Sequence, residues 1–118
     1  MPKKILVVDD EKEYTEMIAL FIGLRGYETI QANSGRTALD ILSKEPIDLM
    51  TLDLSMPGMD GIEVAKAVNQ KYPDLKILII SGFGRDFDEE LSKVKVNGIF
   101  TKPADLMDLL GKVKELIG

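Results

Sequence analysis

Acidic, hydroxyl and amino side chains lie at the ends of four short apolar runs in this sequence. Asp9 and Asp10 follow the first run, Asp53 interrupts another near its end, and Ser81 and Lys102 follow the last two. Three carboxylates brought together repel one another, which raises at least one pKa unless a cation lies among them. A hard divalent ion with oxygen ligands, such as Mg²⁺, suits this set of side chains.

Phosphoryl transfer is a reaction that this set could support, because positioning and charge neutralisation supply most of its catalysis. An aspartate such as Asp53 can act as a covalent nucleophile. Lys102 offers a compact positive charge, and Ser81 can donate one hydrogen bond to a phosphoryl oxygen. The chain has no histidine and no cysteine, so disulfides, thiolate catalysis and cysteine–zinc sites are excluded.

Length and composition favour a single globular domain over residues 1–118. The formal net charge is −5 and the basic residues are scattered, so we expect no direct contact with nucleic acid. The apolar stretches are too short to span a membrane, and no signal peptide is evident at the N-terminus. We therefore expect a cytoplasmic protein without a membrane contact.

Apolar runs and helical patterns alternate along the chain. Alternation of this kind predicts an α/β fold with a parallel sheet between two layers of helices. The strands are predicted over residues 5–8, 28–32, 49–54, 77–80 and 98–101. The helices are predicted over residues 13–25, from Ser34 to before Pro46, and over residues 62–72, 86–95 and 106–117.

The strand ends explain why the polar residues would meet. In an open parallel sheet, binding sites form at the carboxyl ends of the strands. Each polar residue alone has an ordinary explanation, since Asp9 and Asp10 could cap a helix, Ser81 could form a turn and Lys102 could be solvated. Their joint placement at strand ends favours a shared site.

Four segments together resemble the receiver domains of two-component response regulators, over the whole chain. They are Val7-Val8-Asp9-Asp10, the stretch from Leu52 to Gly61 (LDLSMPGMDG), Ser81-Gly82 and Lys102-Pro103. The resemblance implies a flavodoxin-like sandwich in which a five-stranded parallel sheet of order 2-1-3-4-5 is flanked by five helices. It also implies a cis Lys102–Pro103 bond, which proline permits at low cost.

The resemblance further implies a role for each site residue. Asp53 would be the phosphoacceptor, and Ser81 and Lys102 would contact the phosphoryl oxygens. Asp10, Asp53 and the backbone carbonyl of Ser55 would bind Mg²⁺ or Mn²⁺ directly, and Asp9 would act through water. The domain would promote its own phosphorylation and dephosphorylation as a signalling phosphoacceptor and not as a turnover enzyme.

The implied phosphodonor is a phosphohistidine on a sensor histidine kinase or a histidine phosphotransfer protein. After phosphorylation, the face formed by the fourth helix, the fifth strand and the fifth helix would switch and control an output domain or partner protein. The absence of histidine in this chain is consistent with a donor outside it.

Three positions depart from the pattern of this family. Many receivers carry an aromatic residue three positions before the lysine, where this chain has Ile99. Strand alternation predicts that Phe100 points to the opposite face and packs in the core. Ala104 replaces a frequent phenylalanine, so the last helix should pack differently. Phe83 is bulky, and we hypothesise that it slows hydrolysis of the phosphoaspartate.

Three other functions share this fold or this chemistry. A receiver-like binding module would bind Mg²⁺ without phosphorylation. A Mg²⁺-dependent hydrolase with an Asp53 nucleophile would need an added acid–base group and a substrate pocket. A flavin carrier would need a phosphate loop rich in serine, threonine and glycine, whereas Asp9, Asp10 and Glu11 would repel a phosphate.

Overall fold

The computed structural model describes residues 2–82 and 88–118. Strands and helices alternate along this part of the chain. The strands are β1 Lys4–Val8, β2 Glu28–Ala32, β3 Leu49–Leu52, β4 Lys76–Ser81 and β5 Gly98–Thr101. The helices are α1 Lys12–Gly23, α2 Gly35–Lys44, α3 Gly61–Lys71, α4 Asp88–Leu91 and α5 Leu106–Ile117. The predicted alternation of strands and helices is therefore confirmed.

The five strands form one parallel sheet in the order β2-β1-β3-β4-β5, as the resemblance implied. The three central strands are almost wholly buried because helices cover both faces of the sheet. This explains their continuous apolar runs. The edge strands β2 and β5 are only partly buried, which accounts for their weaker signal in the sequence.

Side chains alternate between two hydrophobic cores, one on each face of the sheet. Ile5 and Val7 of β1 pack in the core that α1 and α5 cover. Leu6 and Val8 pack in the opposite core, which α2 and α3 cover. Such a strand is apolar throughout because its side chains alternate between the two cores. The alternation produces a three-layer sandwich, with the sheet between two layers of helices.

Side-chain caps mark the beginnings of α2, α3 and α5, the last through Asp105. The Ser34 hydroxyl accepts a hydrogen bond from the Thr37 amide and begins α2, as predicted. Asp60 and Glu63 form a reciprocal capping box at α3. Such caps satisfy amide groups that have no partner within the helix. They hold the loops before these helices in place relative to the sheet.

The fourth helix ends earlier than predicted. Within the described residues, α4 is Asp88–Leu91 and ends before the predicted end at residue 95, while residues 86 and 87 of the predicted helix lie outside the described part of the chain. Just after it, the Lys93 amide bonds to Glu90 and the Val94 amide to Leu91, which are tighter i to i−3 bonds. Such bonds commonly close the last turn of a helix. The predicted third strand also ends earlier, at Leu52, so that Asp53 lies directly beyond it.

Candidate phosphoryl-transfer and metal site

The acidic residues meet at the carboxyl ends of the two neighbouring strands β1 and β3. Val8 and Leu52 are register partners, so Asp9 and Asp53 leave the sheet side by side. Oxygen atoms of Asp9, Asp10 and Asp53 all lie within 4.8 Å of one another. The structure therefore brings together the three carboxylates that the sequence singled out.

Two of these carboxylates are buried. Asp9 is 2% exposed and Asp53 is 4% exposed, whereas Asp10 is exposed. Burial raises the pKa of the Asp9 carboxyl above its ordinary value. Burial also raises the pKa of Asp53, and the negative charge of Asp9 raises it further. Both shifts mean that the charged forms are poorly compensated by the protein alone.

Lys102 is the cation that faces this cluster. Its Nζ atom lies 2.7 Å from an Asp9 oxygen, 2.8 Å from a Glu11 oxygen and 3.5 Å from an Asp53 oxygen. Burial alone would lower the pKa of the ammonium, but its hydrogen bonds to Asp9 and Glu11 outweigh that effect and raise it. Lys102 therefore stays charged and offsets part of the acidic charge.

Ser81 and Ser55 complete the predicted set. Ser81 ends β4, is 1% exposed, and its carbonyl accepts a hydrogen bond from the Lys102 amide at 3.2 Å. The Ser55 amide donates to an Asp53 carboxylate oxygen at 3.3 Å. A cavity of about 230 Å³ opens at this place, lined by Asp10, Glu11, Asp53, Ser55, Gly82 and Lys102. Ser81 thus lies next to Lys102 in the fold, and Ser55 and Asp10 share the cavity with Asp53.

Three residues that the sequence analysis did not assign to the site support it. Glu11 pairs with Lys102, and Asn33 donates a hydrogen bond from its side chain to the Asp9 carbonyl at 2.8 Å. The Tyr14 ring lies 4.8 Å from the Lys102 ammonium, and its hydroxyl accepts a bond from the Ala104 amide. Of these three residues, only Glu11 could have been linked to the site from the sequence, because it directly follows the acidic pair Asp9-Asp10.

Gly61 allows α3 to begin directly against the backbone of Asp53. A Cβ atom at this position would lie 2.3 Å from the Asp53 carbonyl oxygen and 2.6 Å from the Leu54 Cα atom. The Gly61 amide also donates to the Leu54 carbonyl at 2.9 Å. The junction between β3 and α3 therefore requires a residue without a side chain.

The residues present fit a divalent cation. Carboxylate oxygens are the ligands that Mg²⁺ prefers, and a cation would offset the burial and the negative charge of Asp9 that together raise the pKa of Asp53. The chain offers no histidine or cysteine for a softer metal. Asp9, Asp10 and Asp53 are the side chains that would hold such an ion.

The departures from the family pattern have clear structural consequences. Ile99 is 54% exposed on β5, whereas Phe100 packs against the core beneath α1 and α5, as predicted from strand alternation. Ala104 is buried in the same core. The Lys102–Pro103 bond is cis, as expected. Phe83 lies outside the described residues, so its effect on hydrolysis stays a prediction.

No helix in the described residues is both long and apolar enough to cross a membrane.

Comparison with known proteins gives a consistent result. The response regulator receiver domain family matches residues 5–114. Sporulation initiation phosphotransferase F of Bacillus subtilis (strain 168) is 35% identical over 118 residues, which is 99% of this chain and 95% of that protein. Response regulator RR06 of Streptococcus pneumoniae is 38% identical over 114 residues, which is 96% of this chain but only 52% of that protein.

Solved structures agree in fold over nearly all of the chain. Response regulator protein TrrA from Thermotoga maritima, in complex with Mg²⁺ and BeF, has a TM-score of 0.89 and 34% identity and covers 98% of this chain and 99% of its own. Chemotaxis protein CheY4 of Vibrio cholerae has a TM-score of 0.91 and 29% identity, with coverage of 99% and 100%. Together with the geometry of the acidic site, these matches show that the chain belongs to the response regulator receiver domains.

Proposed function

We propose that Asp53 accepts a phosphoryl group from a phosphohistidine on a sensor histidine kinase or a histidine phosphotransfer protein. The observation that carries this proposal is the placement of Asp53. Its buried carboxylate lines a cavity of about 230 Å³, with an ammonium group 3.5 Å away and two further carboxylates within 4.8 Å. This combination supplies a nucleophile, a positive charge and a cation site in one place.

The transfer itself needs only one bond to form and one to break. A carboxylate oxygen of Asp53 attacks phosphorus, the phosphorus–nitrogen bond breaks, and its electron pair stays on the imidazole nitrogen of the donor. Lys102 and Ser81 contact the phosphoryl oxygens, so that the charge of Lys102 offsets the charge that the group brings. The Ser55 amide holds the Asp53 carboxylate in place.

Asp10, Asp53 and the Ser55 carbonyl would bind Mg²⁺ or Mn²⁺ directly, and Asp9 would bind it through water. The ion supplies charge neutralisation for the phosphoryl group and for the carboxylates that hold it. The similar protein TrrA has been solved in complex with Mg²⁺ and BeF, which supports a Mg²⁺ site in this chain. The raised pKa values of Asp9 and Asp53 are also what a site built for a cation should show in its absence.

The switching face would be formed by α4, β5 and α5. Two large apolar side chains on these elements are exposed, Ile99 at 54% and Met107 at 63%, which suits contact with an output domain or partner protein. Since Phe100 is packed in the core, a switch in this chain would work without an aromatic side chain at the Ile99 position. Phosphorylation would act by shifting the balance between two arrangements of this face.

Incubation with acetyl phosphate and Mg²⁺, followed by intact-protein mass measurement, tests the proposal. We expect a gain of one phosphoryl group in the wild type and in Asp74→Asn, which changes an exposed aspartate just before the amino end of β4 and away from the carboxyl ends of the strands. Asp53→Asn should show no gain. Mg²⁺ binding without any gain in mass would instead favour the receiver-like binding module that is not phosphorylated. Sustained turnover of the donor would favour a hydrolase.

A further inference from the structure

Glu11 pairs with Lys102 at the cavity although it lies outside the cluster of three carboxylates. The Lys102 ammonium is 2.8 Å from a Glu11 oxygen, and the Glu11 side chain is 66% exposed. The same carboxylate lines the cavity beside Asp53. Glu11 has no part in the transfer or in the cation site as described above, so its contact with Lys102 needs its own explanation.

The distances around Lys102 show where its three N–H donors are engaged. Two short contacts go to Asp9 and Glu11, at 2.7 and 2.8 Å. The contact to Asp53 is at the limit of a hydrogen bond, at 3.5 Å. The ammonium is therefore drawn towards Asp9 and Glu11 and away from the nucleophile. A phosphoryl group on Asp53 would bring new acceptor oxygens that compete for the same donors.

We propose that Glu11 is a positioning residue that holds Lys102 in its resting place and releases it when a phosphoryl group reaches Asp53. This inference rests on the proposed function of Asp53. Asp9 is buried and can keep its bond to Lys102, whereas the exposed Glu11 can turn into solvent at little cost. Exposed ion pairs of this kind change an equilibrium by about two- to fivefold.

Glu11→Gln removes the charge and keeps the length of the side chain, and Glu11→Asp keeps the charge but shortens the reach. Glu13→Gln is the matched control, because Glu13 is an exposed residue in the first turn of α1 and the net charge changes equally. The rate of Asp53 phosphorylation by acetyl phosphate is measured with Mg²⁺. In this reaction a phosphorus–oxygen bond breaks and acetate leaves with the electron pair.

We expect both Glu11 variants to be phosphorylated about two- to fivefold faster than the wild type, and Glu13→Gln to match the wild type. Equal rates in Glu11→Gln and Glu13→Gln would overturn the inference. A rate for Glu11→Asp equal to that of the wild type would overturn it as well, because the effect would then come from the local negative charge and not from the contact with Lys102.

A second readout needs neither metal nor phosphodonor. The NMR signal of the Lys102 ε-methylene group, assigned with Lys102→Arg, should shift in both Glu11 variants of the metal-free protein and stay in place in Glu13→Gln. An unchanged signal in the Glu11 variants would refute the pairing itself. If the signal shifts but the wild type takes up no phosphoryl group, the proposed function fails and only the role of Glu11 in releasing Lys102 falls with it.

Discussion

Replacing Gly61 by alanine tests how closely α3 is packed against the backbone of Asp53. The added Cβ atom would lie 2.3 Å from the Asp53 carbonyl oxygen and 2.6 Å from the Leu54 Cα atom, well inside van der Waals contact. Both neighbours are backbone atoms, and the Gly61 amide is bonded to the Leu54 carbonyl. The strain therefore cannot be relieved by rotating a side chain, and the start of α3 must move away from β3.

The loss in free energy of unfolding that this movement causes can be worked out approximately. Overpacking a well-packed site costs about 1–3 kcal/mol, and contact with fixed backbone places Gly61→Ala near the upper value, about 3 kcal/mol. In a domain of this length, 1 kcal/mol shifts the midpoint of thermal unfolding by about 4 °C, so we expect a decrease of roughly 12 °C. Displacing Asp53 should also slow its phosphorylation by acetyl phosphate.

Gly111→Ala is the matched control for this experiment. Gly111 lies inside α5, and a Cβ atom there would meet nothing within 4 Å. Alanine should stabilise the helix by about 0.5–1 kcal/mol relative to glycine. Thermal unfolding followed by circular dichroism should thus move in opposite directions for the two variants. An unfolding midpoint of Gly61→Ala at or above that of the wild type would refute the tight β3–α3 junction.

Two further predictions concern charge and capping. Because the pKa of Asp53 is raised in the folded state, ionising it opposes folding, and the contribution of Asp53 to the stability of the metal-free protein should fall as pH rises from about 4 through that raised pKa. In urea unfolding, the free energy of unfolding of Asp53→Asn should exceed that of the wild type by an amount that grows as the pH rises through this range. A difference that is the same at all pH values would contradict the burial of an uncompensated charge. Asp60→Ala should lower the free energy of unfolding by about 1 kcal/mol through loss of the α3 cap, while Asp60→Asn should keep it. Equal stability of the two Asp60 variants would show that the capping box contributes nothing.

Much of the fold could be predicted because the physical signals are local and strong. The runs that became β1, β3 and β4 are continuously apolar since both of their faces are covered, and Ser34 has the side chain that a helix N-terminus prefers. The extent of α4 could not be predicted in the same way. Its residues carry no clear apolar stripe, and its end depends on the tighter hydrogen bonds around Lys93 and Val94.

The candidate site shows the same division. Asp9, Asp10, Asp53 and Lys102 could be grouped from the sequence because the carboxyl ends of parallel strands meet at one edge. The hydrogen-bond partners of these residues could not be predicted from the sequence. The link from Asn33 to the Asp9 carbonyl joins residues 24 positions apart, and that from Glu11 to Lys102 joins residues 91 positions apart.

By itself, the sequence determined the kind of chemistry open to this protein. It contains no cysteine or histidine, which excludes thiolate and histidine catalysis, and its acidic side chains at strand ends suit a hard cation. The tertiary structure alone decided the balance of charge among them. Burial raises the pKa of Asp53, and packing directs Lys102 to Asp9 and Glu11 more closely than to Asp53. Residue types set which charges exist, but their energies depend on solvent exclusion and interatomic distance, which arise only when distant strands come together.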